Sequence, residues 1–243
     1  MIAVEGLAKR FGEVVAVDGI SFSAPDGAVT GLVGPNGAGK TTALRMIYGL
    51  LKPDAGRIRI DELDQAADPL AAQARIGVLP DQSGLYPRLT PREHIEYFGR
   101  MHGMGGSALA ARTKQLIDLL DLGGVANRRV AGFSHGERTK VALARALVHQ
   151  PRNILLDEPT NGLDVMSTRT LREIIRRLRS EGCCVLFSSH VMQEVSALCD
   201  RIVVIAQGRA VASGTPEDLI AQSGRASVED AFVSLVGKQE HPE

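Results

Sequence analysis

Residues 34–42 read Gly34-Pro35-Asn36-Gly37-Ala38-Gly39-Lys40-Thr41-Thr42, and their types and spacing suit one kind of chemistry. Three glycines let a backbone curl until successive N–H groups converge, which makes a concavity for an anion. The apolar run 29–33 precedes this loop, and Leu44, Ile47 and Leu50 follow it on one helical face, so the stretch reads as strand, glycine loop and helix start. The positive end of the helix dipole then adds to the same concavity. Lys40 is expected to reach the outer phosphates of a nucleotide, and the Thr41 hydroxyl to ligate the magnesium that travels with them. The G-x-x-x-x-G-K-T spacing differs from the G-x-G-x-x-G of dinucleotide folds and argues against a dehydrogenase.

Further along, the apolar run 153–156 ends in Asp157 and Glu158. Ligands of an open parallel sheet sit beyond the carboxyl ends of its strands, so these acids belong on the rim of the glycine loop. Asp157 is expected to hold magnesium, directly or through water, and Glu158 to orient and deprotonate a water aimed at the terminal phosphate. Ser188-Ser189-His190 follows the next strand and reaches the same rim, where His190 can donate a hydrogen bond to a phosphate oxygen. The other histidines, His94, His102, His135, His149 and His241, have no such position. Phe133-Ser134-His135-Gly136-Glu137 stands immediately before a helix, and a serine and a glycine there make a second anion-binding nest. Phe11 is either a stacking surface for a nucleotide base, with Ala16 nearby, or one more core ring.

The elements that must position these groups follow from periodicity. Short apolar runs at 2–4, 14–17, 20–22 and 29–33, punctuated by Gly12, Gly19 and Pro25-Asp26-Gly27, predict an antiparallel sheet leading into a parallel core. Runs at 57–60 and 75–80 read as further strands. Thr90-Pro91-Arg92-Glu93 is a capping box with proline in the first turn, Ser107 opens a second helix, and a third spans about 136–149. Strand signal is almost absent from 85 to 150, which predicts a helical lobe inserted into an α/β core. Beyond it, strands at 184–187 and 202–205 alternate with a helix carrying Leu171, Ile174, Ile175 and Leu178, the pattern of a parallel sheet. Thr215 and Ser227 cap two helices of a tail, with 238–243 as a frayed end.

Composition limits the choice of function. Lys plus Arg and Asp plus Glu are both 28, so no global basic footprint points to nucleic acid. No apolar run is long enough for a bilayer, and no signal pattern opens the chain, which places it in the cytosol by expectation. Cys183, Cys184 and Cys199 are too few and too awkwardly spaced for a disulfide scaffold or a zinc site, and read as reduced core residues.

In order along the chain, the glycine loop, Phe133 to Glu137, Ile154-Leu155-Leu156-Asp157-Glu158-Pro159, Asn161-Gly162-Leu163-Asp164 and His190 resemble the nucleotide-binding subunit of ATP-binding cassette (ABC) transporters over roughly residues 2–215. The resemblance implies a P-loop NTPase, RecA-like α/β core with a mostly parallel sheet, an N-terminal antiparallel β subdomain and an inserted α-helical subdomain. It implies a cassette over 1–222, with the helical subdomain at about 85–150, and a short helical tail at 223–243. Gly34 to Thr42 then match the Walker A loop, with Gly34, Pro35, Asn36, Gly37, Ala38, Gly39, Lys40, Thr41 and Thr42 around ATP. Asp157 matches the Walker B acid, Glu158 the catalytic carboxylate and His190 the switch histidine. Phe11 matches the aromatic that stacks on adenine, Ser134 and Gly136 the signature motif, and Asp164 the D-loop. The cofactors implied are ATP and Mg2+, with Thr41, Asp157 and Asp81 on the metal side.

The resemblance also implies partners. Two subunits, as a homodimer or heterodimer, pair head to tail so that the signature of one covers the ATP of the other. Transmembrane permease subunits hold the cassette on the cytoplasmic face of the membrane, and nucleic acid has no part. Departures exist: the usual Leu-Ser-Gly-Gly-Gln is here changed at Phe133, His135 and Glu137, Asp81 followed by Gln82 stands where a glutamine is usual, and Phe11 replaces the more usual tyrosine. Leu85, Tyr86 and Leu89 lie where the family receives its membrane partner, and either form, as exposed residues, a groove for a coupling helix or staple the next helix. The short C-terminus and Gly-Leu-Tyr-Pro-x-Leu-Thr at 84–90 look most like the sodium and drug exporter (Nat-type) group, so export of sodium ions or drugs is expected. The alternatives are a soluble cassette ATPase of translation or DNA repair, and a nucleotide-binding module that does not hydrolyse; retained Glu158 argues against the latter.

Overall fold

Alternating apolar residues and tight turns build two sheets, seen in a computed structural model that describes residues 1–82 and 84–240. The first sheet is antiparallel: β1 (Ile2–Phe11) pairs with β2 (Val14–Ala24) and, on its other side, with β4 (Ala55–Ile60), which carries the short β5 (Leu63–Asp64). The runs expected as separate strands at 14–17 and 20–22 are one strand, because Gly19 adopts φ 71 inside β2 and register shifts in the β1–β2 pairing absorb the irregularity.

The second sheet has the order β10-β9-β3-β8-β7-β6. Its strands are β3 (Val29–Val33), β6 (Ile76–Leu79), β7 (Asn153–Asp157), β8 (Cys184–Ser189), β9 (Arg201–Ala206) and β10 (Arg209–Gly214). Adjacent pairs from β9 to β6 are parallel, and only β10 runs antiparallel. β3, β7 and β8 are buried at every residue, as a sheet covered on both faces requires. Helices α1 (Lys40–Ile47) and α2 (Pro69–Gln73) precede β6; α6 (Val165–Ser180) and α7 (Met192–Leu198) flank β8 in sequence; α8 (Pro216–Ser223) and α9 (Val228–Glu240) close the described chain, and residues 241–243 of the expected frayed end lie outside it. α9 is docked, with Ala231 fully buried in the main core.

Between β6 and β7 the described residues form three α-helices, α3 (Pro91–Met101), α4 (Gly106–Leu119) and α5 (His135–Leu147), with a short 3-10 turn at Gly123–Val125. α3 has the expected capping box, Thr90 Oγ accepting from Glu93 N and Glu93 accepting from Thr90 N. Ser107 does not cap α4; extended Gly105 does, with no side-chain hydrogen bond. The helical segment shares one apolar cluster with one face of the parallel sheet, running from Leu116 and Val141 through Ile154 and Phe187. Leu85, expected to be exposed, is 7% exposed and belongs to this cluster, whereas Tyr86 is half exposed. Cys184 and Cys199 are buried and Cys183 partly so, all three as free thiols.

Candidate active site

β3 delivers Gly34 against β9 so closely that a Cβ there would lie 2.1 Å from the Ile205 carbonyl oxygen, a clash with backbone that only glycine avoids. The loop then turns into α1, whose N-terminus has no side-chain cap, leaving its first-turn N–H groups for an anion. Lys40, the first residue of α1, is 6% exposed, and its ammonium donates to Gly34 O at 2.7 Å and Pro35 O at 3.1 Å. The loop walls a cleft of about 510 Å³ lined by Asn36 to Thr42, Val14, Val15, Ala16, Asp81, Glu158, Asn161 and His190.

Strand order brings the acids to this cleft. β8 lies between β3 and β7, and Asp157 pairs in register with Ser188. Ser188 and Ser189 are thus the last residues of the strand rather than following it, and only His190 stands beyond. Asp157 is 2% exposed; its Oδ1 accepts from Ser188 Oγ at 2.7 Å and Thr41 Oγ1 at 3.1 Å, while buried Oδ2 has no protein partner. Burial pushes the Asp157 carboxyl above its ordinary range, against the two hydrogen bonds that favour its charged form. Glu158 follows with φ 47, a left-handed conformation that turns the chain sharply out of the strand. Its N–H donates to Ser188 Oγ at 2.9 Å, its Oε1 lies 3.4 Å from Lys40 Nζ, and its Oε2 lies 2.9 Å from His190 Nδ1.

The oxygens at this rim suit a hard divalent cation. Thr41, Asp157 with its unpartnered Oδ2, and Asp81 offer hydroxyl and carboxylate donors, and magnesium is commonly held by one or two carboxylates plus phosphate oxygens. Among the described residues no group of three or more His, Cys, Asp or Glu could hold a metal ion. Of the neighbours Asp81 and Gln82, it is Asp81 that lines the cleft.

The remaining expected residues lie elsewhere. Phe11 is 49% exposed, which removes the core-ring alternative, but it does not line the cleft; it pairs across the hairpin with Val14, which does, and carries the Lys9 ammonium 5.7 Å from its ring centre. Ser134 caps α5 in a second capping box with Glu137, and Ser134 and His135 face outward. Gly136 is buried against α6: a Cβ there would lie 2.6 Å from Ser167 Oγ, which donates to Asp164 Oδ2 at 2.8 Å. None of Ser134, Gly136 and Asp164 lines the cleft, although His135, between the first two, lines a small pocket with Asp81, Asp157 and Glu158. Ser188 and Asn161 escaped assignment from sequence. A serine fully buried in an apolar strand is the signal that marks Ser188.

A nucleotide-sized cleft on a glycine loop, with a buried lysine and acids at the ends of parallel strands, defines a P-loop NTPase. Residues 17–161 match the family described as ABC transporter, and the chain belongs to that family. It is 45% identical over 224 residues to the ABC transporter ATP-binding protein NatA of Bacillus subtilis (strain 168), covering 90% of this chain and 91% of that protein. It is 40% identical over 231 residues to the Nod factor export ATP-binding protein I of Paraburkholderia xenovorans (strain LB400), covering 95% of this chain and 76% of that one. Its fold matches the dimeric structure of a post-hydrolysis state of an ATP-binding cassette bound to ADP and Pi, with a TM-score of 0.81 and 27% identity over 88% of this chain and 98% of that chain. The protein is an ATP-binding, ATP-hydrolysing subunit of a transporter, not a cassette ATPase of translation or DNA repair.

Proposed function

We propose that one ATP occupies the cleft of each chain and that Lys40, Asp157, Glu158 and His190 carry its hydrolysis. The observation that supports this most directly is the Glu158 carboxylate held between Lys40 and His190 at the mouth of the glycine loop. The loop N–H groups and Lys40 bind the phosphates; Phe11 and Ala16 meet the base. Glu158 takes a proton from a water as that water's oxygen bonds to the terminal phosphorus, the bond to the bridging oxygen breaks, and ADP and phosphate leave. His190 holds Glu158 by Nδ1 and offers its other nitrogen to a phosphate oxygen. Thr41, Asp157 and Asp81 would hold Mg2+, which would compensate charge on the phosphates.

Dimerisation and a membrane permease follow from the family. In our reading, residues 1–222 form the cassette and 223–243 its tail, and two copies meet head to tail so that Ser134 and Gly136 of one, with Asp164 beside them, cover the ATP of the other. ATP is then both fuel and interface, and its hydrolysis releases the pair. No helix among the described residues is long and apolar enough to cross a membrane. We assign the chain to the cytoplasmic face, docked on its permease through exposed Tyr86 and its neighbours. The name of the Nod factor export relative supports export, and we assign sodium ions or drugs as the cargo. Glu158→Gln tests the core of this reading: MgATP binding is retained, hydrolysis falls by roughly 10² to 10⁴, and an ATP-bound dimer accumulates. Wild-type turnover in that variant would remove Glu158 from the chemistry.

A further inference from the structure

We propose that Arg128 is a positioning residue for the phosphate-facing corner at Ser134: it neutralises and immobilises the Glu137 carboxylate so that the triphosphate of a second copy can approach. The inference rests on the head-to-tail reading above. Glu137 occupies the position where the family pattern usually has an uncharged glutamine. Its two oxygens are both engaged within the same chain. Oε2 accepts from Ser134 N at 2.8 Å and Oε1 from Arg128 Nη2 at 3.0 Å, while Glu137 N donates to Ser134 Oγ at 3.2 Å. The Arg128 guanidinium also lies over the Phe133 ring, 4.6 Å from its centre, which fixes it against the residue preceding Ser134.

Two electrostatic demands conflict at this corner. A carboxylate in the first turn of α5 completes the capping box and complements the helix dipole. The same negative charge, within hydrogen-bonding distance of the Ser134 backbone, repels a triphosphate brought to the exposed Ser134 hydroxyl. Pairing with Arg128 resolves the conflict: the cap keeps its carboxylate, and the approaching anion meets a neutral pair. Stability alone gives little reason for the pair, since side chains that are 58% and 31% exposed form an ion pair of small net worth. Its effect on an incoming anion is direct, and larger at low salt.

The test uses the full chain carrying E158Q, with self-association driven by MgATP and followed by sedimentation. R128M raises the MgATP concentration for half-maximal association about threefold to tenfold, and the difference narrows as salt rises. Adding E137Q to R128M returns association to near that of the parent, because the corner is again neutral. R128K, which keeps the charge and loses the fork, falls between, and guards against a folding defect together with a thermal midpoint near that of the parent. No penalty from R128M, or a penalty that E137Q does not relieve, overturns the inference. Association undiminished by S134R overturns the head-to-tail reading beneath it.

Discussion

His190 Nδ1 lies 2.9 Å from Glu158 Oε2, and the other oxygen of that carboxylate lies 3.4 Å from Lys40 Nζ. The carboxylate is thus held from both sides, by Lys40 at the start of α1 and by His190 just beyond β8. With Nδ1 committed to Glu158, only Nε2 is left for a phosphate oxygen, and an imidazole that donates from both nitrogens must carry its second proton. His190→Ala is expected to keep ATP affinity within a few-fold and to lower kcat by roughly 10². His190→Gln, whose amide cannot serve both partners from the same position, falls between. Phosphate release and equilibrium ATP binding measured on the same preparations check this; an unchanged kcat in His190→Ala would remove the histidine from the mechanism.

Asp157 couples the proposed metal site to stability. Its carboxyl is pushed up by burial, so the folded chain binds more protons there than the unfolded chain. Stability therefore falls as pH rises from the ordinary 3.8 through the folded value, and the deficit persists at neutral pH. Asp157→Asn removes the charge while keeping an oxygen for Thr41 and Ser188. Without nucleotide or metal its melting midpoint should rise by roughly 2–4 °C at pH 7, the shift that about 1 kcal/mol gives a chain of this size. Stabilisation by MgATP beyond that of ATP alone should be lost. A lowered midpoint would show that the orphaned Oδ2 is not a source of strain.

Two glycines separate clashes that a neighbour can relieve from clashes that it cannot. At Gly34 the atom in the way is the Ile205 carbonyl oxygen, part of β9, whereas at Gly136 it is the Ser167 hydroxyl. Gly34→Ala should cost about 3 kcal/mol of stability and lower the melting midpoint sharply, since the sheet itself must shift. Gly136→Ala should impair ATP-driven association and recover in part with Ser167→Ala, which removes the 2.6 Å contact and leaves one of 3.3 Å. Failure of the second change to help would mean that the two helices, not one hydroxyl, oppose the added methyl.

His149 adds a pH dependence unrelated to the cleft. Its ring stacks on His102 at 3.7 Å and meets the Ile76 carbonyl oxygen at 3.1 Å, and its other nitrogen is buried without a partner. Burial, assisted by the neighbouring His102 and Arg112, lowers its pKa from 6.5 to about 4. The unfolded chain therefore takes up a proton first, so stability is intact above pH 6.5 and is lost as pH falls towards 4. The full loss amounts to about 3 kcal/mol. Urea midpoints at pH 7 and pH 5 should diverge less in His149→Gln than in the parent; equal divergence would assign the acid sensitivity to other groups.

Much of the site was legible because it is built from local sequence. A glycine loop, its lysine and a capping box each complete their hydrogen bonds within a few residues, and Thr90 with Glu93 or Ser134 with Glu137 can be read without knowing what lies opposite. Ser188 was not legible, since its two bonds go to Asp157 and Glu158, 31 and 30 residues away. Leu85 was misjudged for the same reason: its burial depends on helices that follow it, not on its own turn.

Sequence by itself determined the chemical types and their order: a phosphate loop at 34–42, two acids after an apolar run, a histidine after the next one, and a capped serine before a helix. These are properties of short stretches, governed by backbone sterics and hydrogen-bond needs that close locally. The tertiary structure alone decided that β8 lies between β3 and β7, which puts His190 and Ser188 within reach of Asp157 and Glu158. It also decided that Gly136 packs against Ser167 beside Asp164, and that Ser134, Gly136 and Asp164 stay out of the lining of the cleft. Strand order and helix contact depend on burial summed over distant residues, and no local pattern carries that sum.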